Sequence, residues 1–435
     1  MINMVYPSDY ENKTGFDRIR AQVRGKCTTD GGRALLDGEG FSASAGEIAH
    51  RLSLCSELQE ILMLESGFPL QEYTDIGPVA RKIEVACTFL DIEDMIALRA
   101  GLGAVNEITV FLAAKEEGRY PVLRGLAQGV ESFPEITGHI DTILDRYGKI
   151  KDSASPELYT IRRTIRDREG QVSKRLQAIL SKAQKDGYAD ADAAVSIRDG
   201  RAVIPVSAAN KRKINGFIHD ESATGKTFYI EPVEIVEINN ELKELEYAER
   251  REVVRILTAF TDRIRPDAPG IARAGEYLAC MDMIRAKARW AAENECVKPV
   301  LSEEGTLWLR SARHPLLRQT LAREGKQVVP LDLKLDRGRR MLVISGPNAG
   351  GKSVCLKTVG LLQYMFQCGF PVPVLENSEF PVFDGIFIDI GDEQSIDNDL
   401  STYSSHLLNM KHMLAGAGSG SLVLIDEFGS GTEPV

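Results

Sequence analysis

The chain has 435 residues, 43% of them apolar, enough for about three domains with cores of their own. Its 63 acidic and 53 basic side chains leave a net charge of -10, so nucleic acid has to be held by a local basic surface and not by overall attraction. The seven cysteines are scattered, odd in number and contain no CxxC, which argues against a disulfide framework or a zinc site and for buried thiols.

No apolar stretch approaches the length of a membrane span, and the start, MINMVYPSDYENKTGFDRIR, has no signal-like hydrophobic core. The expected location is therefore cytoplasmic, with no membrane partner. From about residue 14 to 150 the apolar spacing predicts helices broken at GFPLQEYTDIGP and GRYP, so residues 1–150 read as an all-helical core.

The next unit spans 151–265. Ser155 and Pro156 supply a cap and a proline at the first helical position of a helix running to about Asp186, or ~46 Å at the helical rise. Leu158, Ile161, Ile165, Val172, Leu176 and Ile179 form a heptad seam along it. Ile238, Leu242, Leu245, Val253, Ile256 and Phe260 form a second seam on a helix from about Val233 to Ile264, which Pro266 ends. Two long antiparallel helices forming a stalk are expected. Between them, β-rich pieces at 194–206 and 214–230 predict a small β tip over about 188–232. The helix 157–186 carries eight basic and four acidic residues and the tip six of each, so this part stands at +4 in an acidic protein. Lys211, Arg212 and Lys213, with Arg198, Arg201 and Lys226 near them in sequence, suit sequence-independent contact with phosphates; a solvated turn between strands is the competing reading.

Residues 266–310 read as returning core helices and a linker, and 311–435 as the last unit. There an apolar strand, 341–345, is predicted directly before GxxxxGKS, the phosphate-binding loop pattern. Gly346, Gly350 and Gly351 would let backbone N–H groups curl around phosphates, with Pro347, Asn348, Ala349 and Val354 completing the loop and its exit. Lys352 is placed for the β- and γ-phosphates of ATP and Ser353 for Mg²⁺. The helix that follows, from about Lys352 to Cys368, points its positive end at the anion. Downstream, LVLIDEFGSGTEP drives an apolar strand into Asp426, a second Mg²⁺ ligand, and Glu427, the base or positioner for the attacking water. Between them Ser401 and Thr402 precede an amphipathic helix with Leu407, Leu408 and Met410. They read either as caps or as a signature that completes a neighbouring subunit's ATP site. His406 and His412 on that helix read as lone histidines.

ARHPLL at 312–317, SGPNAGGKSV, IGDEQSI, LSTYSSH and LVLIDEFGSGTEP, in this order, resemble the ATPase domain of the MutS family. SIRDGRAVIPV, IHDESATGKTFYIEP and EINNEL resemble the second bacterial MutS paralogue type, the branch without a mismatch-reading domain. The resemblance implies a multidomain fold: an all-helical core, long antiparallel lever helices with a small β clamp, and an α/β P-loop ATPase domain of the ABC type. It implies a homodimer closed around nucleic acid, Asn348 helping to hold the γ-phosphate, and Ser401, with Thr402, acting across the dimer. Where classical members place an aromatic against adenine, this chain offers Val328 or Val329. Their mismatch-reading Phe-x-Glu is absent from the first 50 residues, and Phe133-Pro134-Glu135 reads as a turn in the helical core. The family continues beyond Val435 with more ATPase sheet, a switch histidine and, in this branch, a nuclease domain. An incomplete ATPase domain, with weak hydrolysis or none from these residues alone, is therefore expected.

Two functions are attributed to this branch. One is an ATP-dependent clamp on branched or looped DNA that restrains homologous recombination, and the other is a ribosome-associated factor that splits stalled or collided ribosomes. A longer-coiled ATPase class is disfavoured because the stalk is too short.

Overall fold

A computed structural model of the chain describes residues 4–347, 350–390 and 399–426, the side chains of 399–405 excepted. The helices in chain order are α1 (Tyr10–Thr14), α2 (Phe16–Arg24), α3 (Asp30–Gly38), α4 (Ala45–Leu64), α5 (Gly77–Glu84), α6 (Ile92–Ala113), α7 (Pro121–Ala127) and α8 (Pro134–Ile143). They continue with α9 (Pro156–Lys185), α10 (Val233–Ile264), α11 (Ala268–Glu293), α12 (Pro315–Arg323), α13 (Lys352–Gln367) and α14 (Asp399–Gly416). The strands are β1 (Met4–Tyr6), β2 (Ser196–Arg198), β3 (Arg201–Ser207), β4 (Gly216–Glu221), β5 (Thr227–Pro232), β6 (Val300–Leu301), β7 (Leu307–Ala312), β8 (Leu331–Leu335), β9 (Glu379–Phe380), β10 (Gly385–Asp389) and β11 (Ser421–Ile425). The chain divides into two compact units: Arg81–Arg99 with Glu135–Ala268, and Met1–Ala80 with Ala100–Pro134 and Pro269–Val435.

In the first unit, α9 starts as its sequence predicts, with the Ser155 hydroxyl accepting from the Leu158 N–H at 3.0 Å and Pro156 at the first helical position. Its pairing with α10 is antiparallel, because rising numbers on α9 meet falling numbers on α10. Ser155 donates to Glu252 (2.5 Å), Arg162 pairs with Glu249 (2.7 Å), Arg168 with Glu241 (3.0 Å), and Arg175 donates to the Glu234 carbonyl (3.3 Å). Val172, Leu176 and Leu180 of α9 and Ile235 and Ile238 of α10 are buried together with Ile204, Val206 and Ile230 of the β tip. One apolar core thus joins the far ends of both helices to a four-stranded sheet in the order β2-β3-β5-β4. β4 is an edge strand, and Phe217 and Ile218 on it stay exposed.

The second unit is built around α11, buried without a break from Met281 to Ala288, the mark of a helix packed on all sides. That burial includes Asp282 and Arg285. The Asp282 carboxylate accepts from the N–H groups of Thr28 and Thr29 (both 2.8 Å), from their hydroxyls (3.1 and 2.9 Å) and from Arg285 (2.6 Å). The charge is kept inside because every lone pair is used. α6 corrects the reading that no apolar stretch approaches a membrane span: at 22 residues it is long and apolar enough. Its Met95, Leu98, Leu102, Val105, Ile108 and Leu112 are nevertheless buried in protein, as in a core helix. Phe133-Pro134-Glu135 opens α8, with Pro134 at the first helical position, where the sequence suggested a turn.

The last part of this unit holds two sheets. One is mixed, in the order β6-β9-β7-β8; the other is parallel, β1-β10-β11. β10 is buried along its whole length, as a central parallel strand should be, whereas β11 alternates. The membership of β1 is unexpected, since its MVY gives no strand signal before residue 14. Four cysteines, Cys27, Cys55, Cys296 and Cys368, are buried as expected, but Cys87 is exposed; none forms a disulfide.

Candidate functional site

α13 begins directly at Lys352, and its N-cap, Gly351, has φ of +83°, a left-handed backbone that side chains resist. Open space surrounds that glycine, so the requirement is conformational and not steric. The loop folds on itself: the Gly350 N–H donates to the Pro347 carbonyl (2.9 Å), and Lys352 Nζ donates to the Gly346 carbonyl (2.8 Å). Ser353 is half-buried and Val354 exposed on the first turn. Asn348 and Ala349 lie outside the described residues.

From Thr358 onward α13 is fully buried. Gly360 lets it approach the sheet: a Cβ there would stand 3.0 Å from Leu424 Cδ1 of β11 and 3.0 Å from the Tyr10 hydroxyl, which itself donates to the Gly360 carbonyl (3.0 Å). Gln363 and Gln367, both buried, tie the helix to the carbonyls of Pro381, Phe383 and Ser42 at 2.8–2.9 Å. The loop is therefore held from behind by close packing and by the amide N–H donors of Gln363 and Gln367, while Gln363 Oε1 stays buried without a partner.

The strand predicted at 341–345 is not formed. Met341 and Val343 are 85% and 81% exposed, and the segment belongs to no sheet among the described residues. Its continuous apolar run is the signature of a strand buried on both faces. A strand, however, exists only with a neighbour to take its hydrogen bonds, and none is present among the described residues. Among the described residues the outer edge of β11 has no pairing strand either, and Val423 is exposed.

Asp426 follows β11 and is 9% exposed, its N–H donating to the Asp389 carbonyl (2.8 Å). Glu427 lies outside the described residues. The donor set suits Mg–ATP: a helix N-terminus, a lysine, a hydroxyl and a strand-end carboxylate. Among the described residues no group of three His, Cys, Asp or Glu is placed to hold a metal. Val328 and Val329 leave the adenine question where the sequence left it, Val329 being exposed.

Ser401 and Thr402 sit inside α14, which is already helical at Asp399, so the reading of them as residues ahead of the helix is corrected. The stripe named for that helix is corrected too: Leu407 and Leu408 are 49% and 53% exposed. The inward face is His406, Asn409 and Met413. His406 is not alone, because its Nδ1 lies 2.8 Å from Asp389 Oδ2, while Asn409 donates to Asp389 Oδ1 (2.8 Å). Sequence reasoning missed Asp389; its signal was an acidic residue ending the apolar run GIFID.

The six tip cations divide into two groups. Arg201 is spent on Glu231 (2.8 Å) and Asn240 (2.8 Å), and Arg198 on Asp220 (3.0 Å) and the Tyr229 ring (4.2 Å). Burial works to raise the Glu231 carboxyl, and hydrogen bonds from Asn239, His219 and Arg201 outweigh it, holding it below the ordinary carboxylate range. Lys211, Arg212, Lys213 and Lys226 have no carboxylate within salt-bridge reach among the described residues, and all but Lys211, which lies over the Phe228 ring (4.2 Å), are exposed.

Comparison with known proteins agrees with this arrangement. The family described as MutS domain V matches residues 342–435. Proteins named endonuclease MutS2 are similar along nearly the whole chain. That of Geobacillus sp. (strain WCH70) is 35% identical over 421 residues, covering 96% of this chain and 53% of the relative. That of Ligilactobacillus salivarius (strain UCC118) is 35% identical over 421 residues, covering 96% and 52%. That of Streptococcus thermophilus (strain ATCC BAA-491 / LMD-9) is 36% identical over 419 residues, covering 96% and 52%. The chain spans about half the length of these curated relatives. With a nucleotide loop, a strand-end aspartate, the match to MutS domain V and similarity to MutS2 proteins along 96% of its length, the chain bears out the resemblance to the MutS family read from its sequence.

Proposed function

We propose that this chain binds and hydrolyses ATP with Mg²⁺ at the loop 346–354 and uses the cycle to change its grip on nucleic acid. The observation that carries the reading is the loop itself: Gly351 in a left-handed conformation capping α13, and Lys352 beside it. Lys352 would hold the β- and γ-phosphates, Asn348 the γ-phosphate, and Ser353 and Asp426 the ion. Bound Mg²⁺ neutralises developing charge on the phosphates. Glu427 would orient the attacking water, and Ser401 with Thr402 would reach a partner's nucleotide in a homodimer. The β tip is the clamp in this reading, with Lys211, Arg212, Lys213 and Lys226 on phosphates. The substrate is branched or looped DNA, the consequence restraint of recombination, and the setting cytoplasmic. Strand cleavage, named for the relatives, is assigned to none of the residues described here.

The clamp on stalled ribosomes is the second reading, favoured by the same sequence-independent cations. The test is ATP turnover by the full-length protein, with Glu427→Gln as control, on linear duplex, a four-way DNA junction or purified ribosomes. Stimulation by the junction alone supports the DNA reading, and stimulation by ribosomes alone replaces it. Turnover that persists in Glu427→Gln removes the site assignment.

A further inference from the structure

The helix α14 is attached to its sheet in an unusual way. From His406 to Gly416 only Met413 is fully buried, while Leu407, Leu408 and Leu414 face outward. Among its described side chains apolar burial therefore does little to fix its position. Beside a contact of the Tyr6 ring with His412 (5.2 Å between centroids), the attachment centres on one carboxylate. Asp389, 2% exposed at the end of β10, takes His406 Nδ1 on one oxygen and the Asn409 amide on the other, both at 2.8 Å. His406 and Asn409 are three residues apart, on one helix face. Asn409 in turn accepts the Tyr6 hydroxyl (2.6 Å) from β1, and the Asp389 main-chain carbonyl takes the N–H of Asp426 (2.8 Å).

We propose that Asp389, with His406 and Asn409, is a positioning device that sets α14, and with it Ser401 and Thr402, in register with the Asp426 end of the site. The role assigned to Asp389 is indirect, through the groups it holds. Its side chain sets the helix that serves the neighbouring subunit, and its carbonyl sets the aspartate that serves its own. A buried carboxylate with two fixed donors holds direction as well as distance, which a sliding apolar contact does not. The proposal rests on the ATPase reading above.

The test compares Asp389→Ala, which removes both acceptors but keeps the carbonyl, with His406→Leu and with His406→Asn, whose amide nitrogen stands where Nδ1 stood. In the full-length protein, Asp389→Ala and His406→Leu should lower kcat roughly 10- to 100-fold, the scale of a displaced catalytic contact, and abolish cooperativity in ATP. Affinity for a fluorescent ATP analogue should stay within about twofold, and His406→Asn should restore most of kcat. Amide exchange over 399–416 should rise in Asp389→Ala and His406→Leu even without nucleotide. Wild-type kcat in a folded Asp389→Ala or His406→Leu protein, or unchanged exchange in α14, overturns the proposal. An inactive wild-type protein overturns the ATPase reading instead, and the exchange measurement still decides the attachment of α14. If Asp389→Ala does not fold, the two His406 variants carry the comparison, since that side chain is partly exposed.

Discussion

Neutralising Lys211, Arg212 and Lys213 to alanine together should change how nucleic-acid binding responds to salt. Of the tip cations, Arg198 and Arg201 are committed to Asp220 and Glu231, which leaves Lys211, Arg212, Lys213 and Lys226 to displace counterions. With all four on phosphates the tip alone contributes a slope of about -3.6 in log K against log salt, or ~150-fold in affinity between 50 and 200 mM. The triple variant keeps one such cation, so the slope should become shallower by about 2.7 and that span shrink to ~3.5-fold. Fluorescence anisotropy on a labelled duplex, titrated with salt at fixed pH, reads the slope directly. Arg201→Ala should leave the slope unmoved, because its charge is already neutralised. A triple variant with the wild-type slope, or an Arg201→Ala variant that flattens it equally, would refute the division of these cations.

Asp282→Ala leaves the Arg285 charge buried without its partner and strips the acceptor from the amides of Thr28 and Thr29. It should cost roughly 3–5 kcal/mol, read as a lower urea midpoint, and a loss below about 1 kcal/mol would contradict the account. His314 caps α12 through Nδ1, and burial, aided by Lys357 and Arg18, lowers its pKa from 6.5 to about 4. The unfolded chain takes the proton first, so this stability is complete above about pH 6.5 and drains away towards pH 4, by up to ~3 kcal/mol. His314→Asn should flatten the melting temperature over that window. Gly360→Val forces methyl groups against Leu424 and Tyr10, at about 1–3 kcal/mol, and should weaken ATP binding by pushing α13 off β11.

The legible parts of the sequence were those where local chemistry and long-range structure agree. Ser155-Pro156 and Pro266 bound the stalk helices because caps and prolines act on the nearest turn, and α10 spans Val233–Ile264 as read. The loop before α13 was legible because a left-handed glycine and an adjacent lysine leave few alternatives. Strand 341–345 was misread because periodicity reports what a segment wants to bury, not whether a neighbour is there to bury it. On α14 the sequence offers Leu407, Leu408 and Met410 as the apolar residues of an amphipathic helix, whereas the structure turns His406 and Asn409 inward. A buried partner such as Asp389, distant in sequence, gives no local signal.

The short strand β1 gives the molecule a timetable. Tyr6 meets Asn409 across 403 positions of sequence, so nothing near the start of the chain finds its place in the parallel sheet until translation has passed that point. At ~5–20 residues per second the wait is roughly 20–80 s, during which helices close to one another in sequence are free to assemble. Among the described residues the parallel sheet thus closes late. Deleting Met4–Tyr6, or burdening them with a bulky fusion, should leave early folding intact and delay the step that brings β10 and its Asp389 into order.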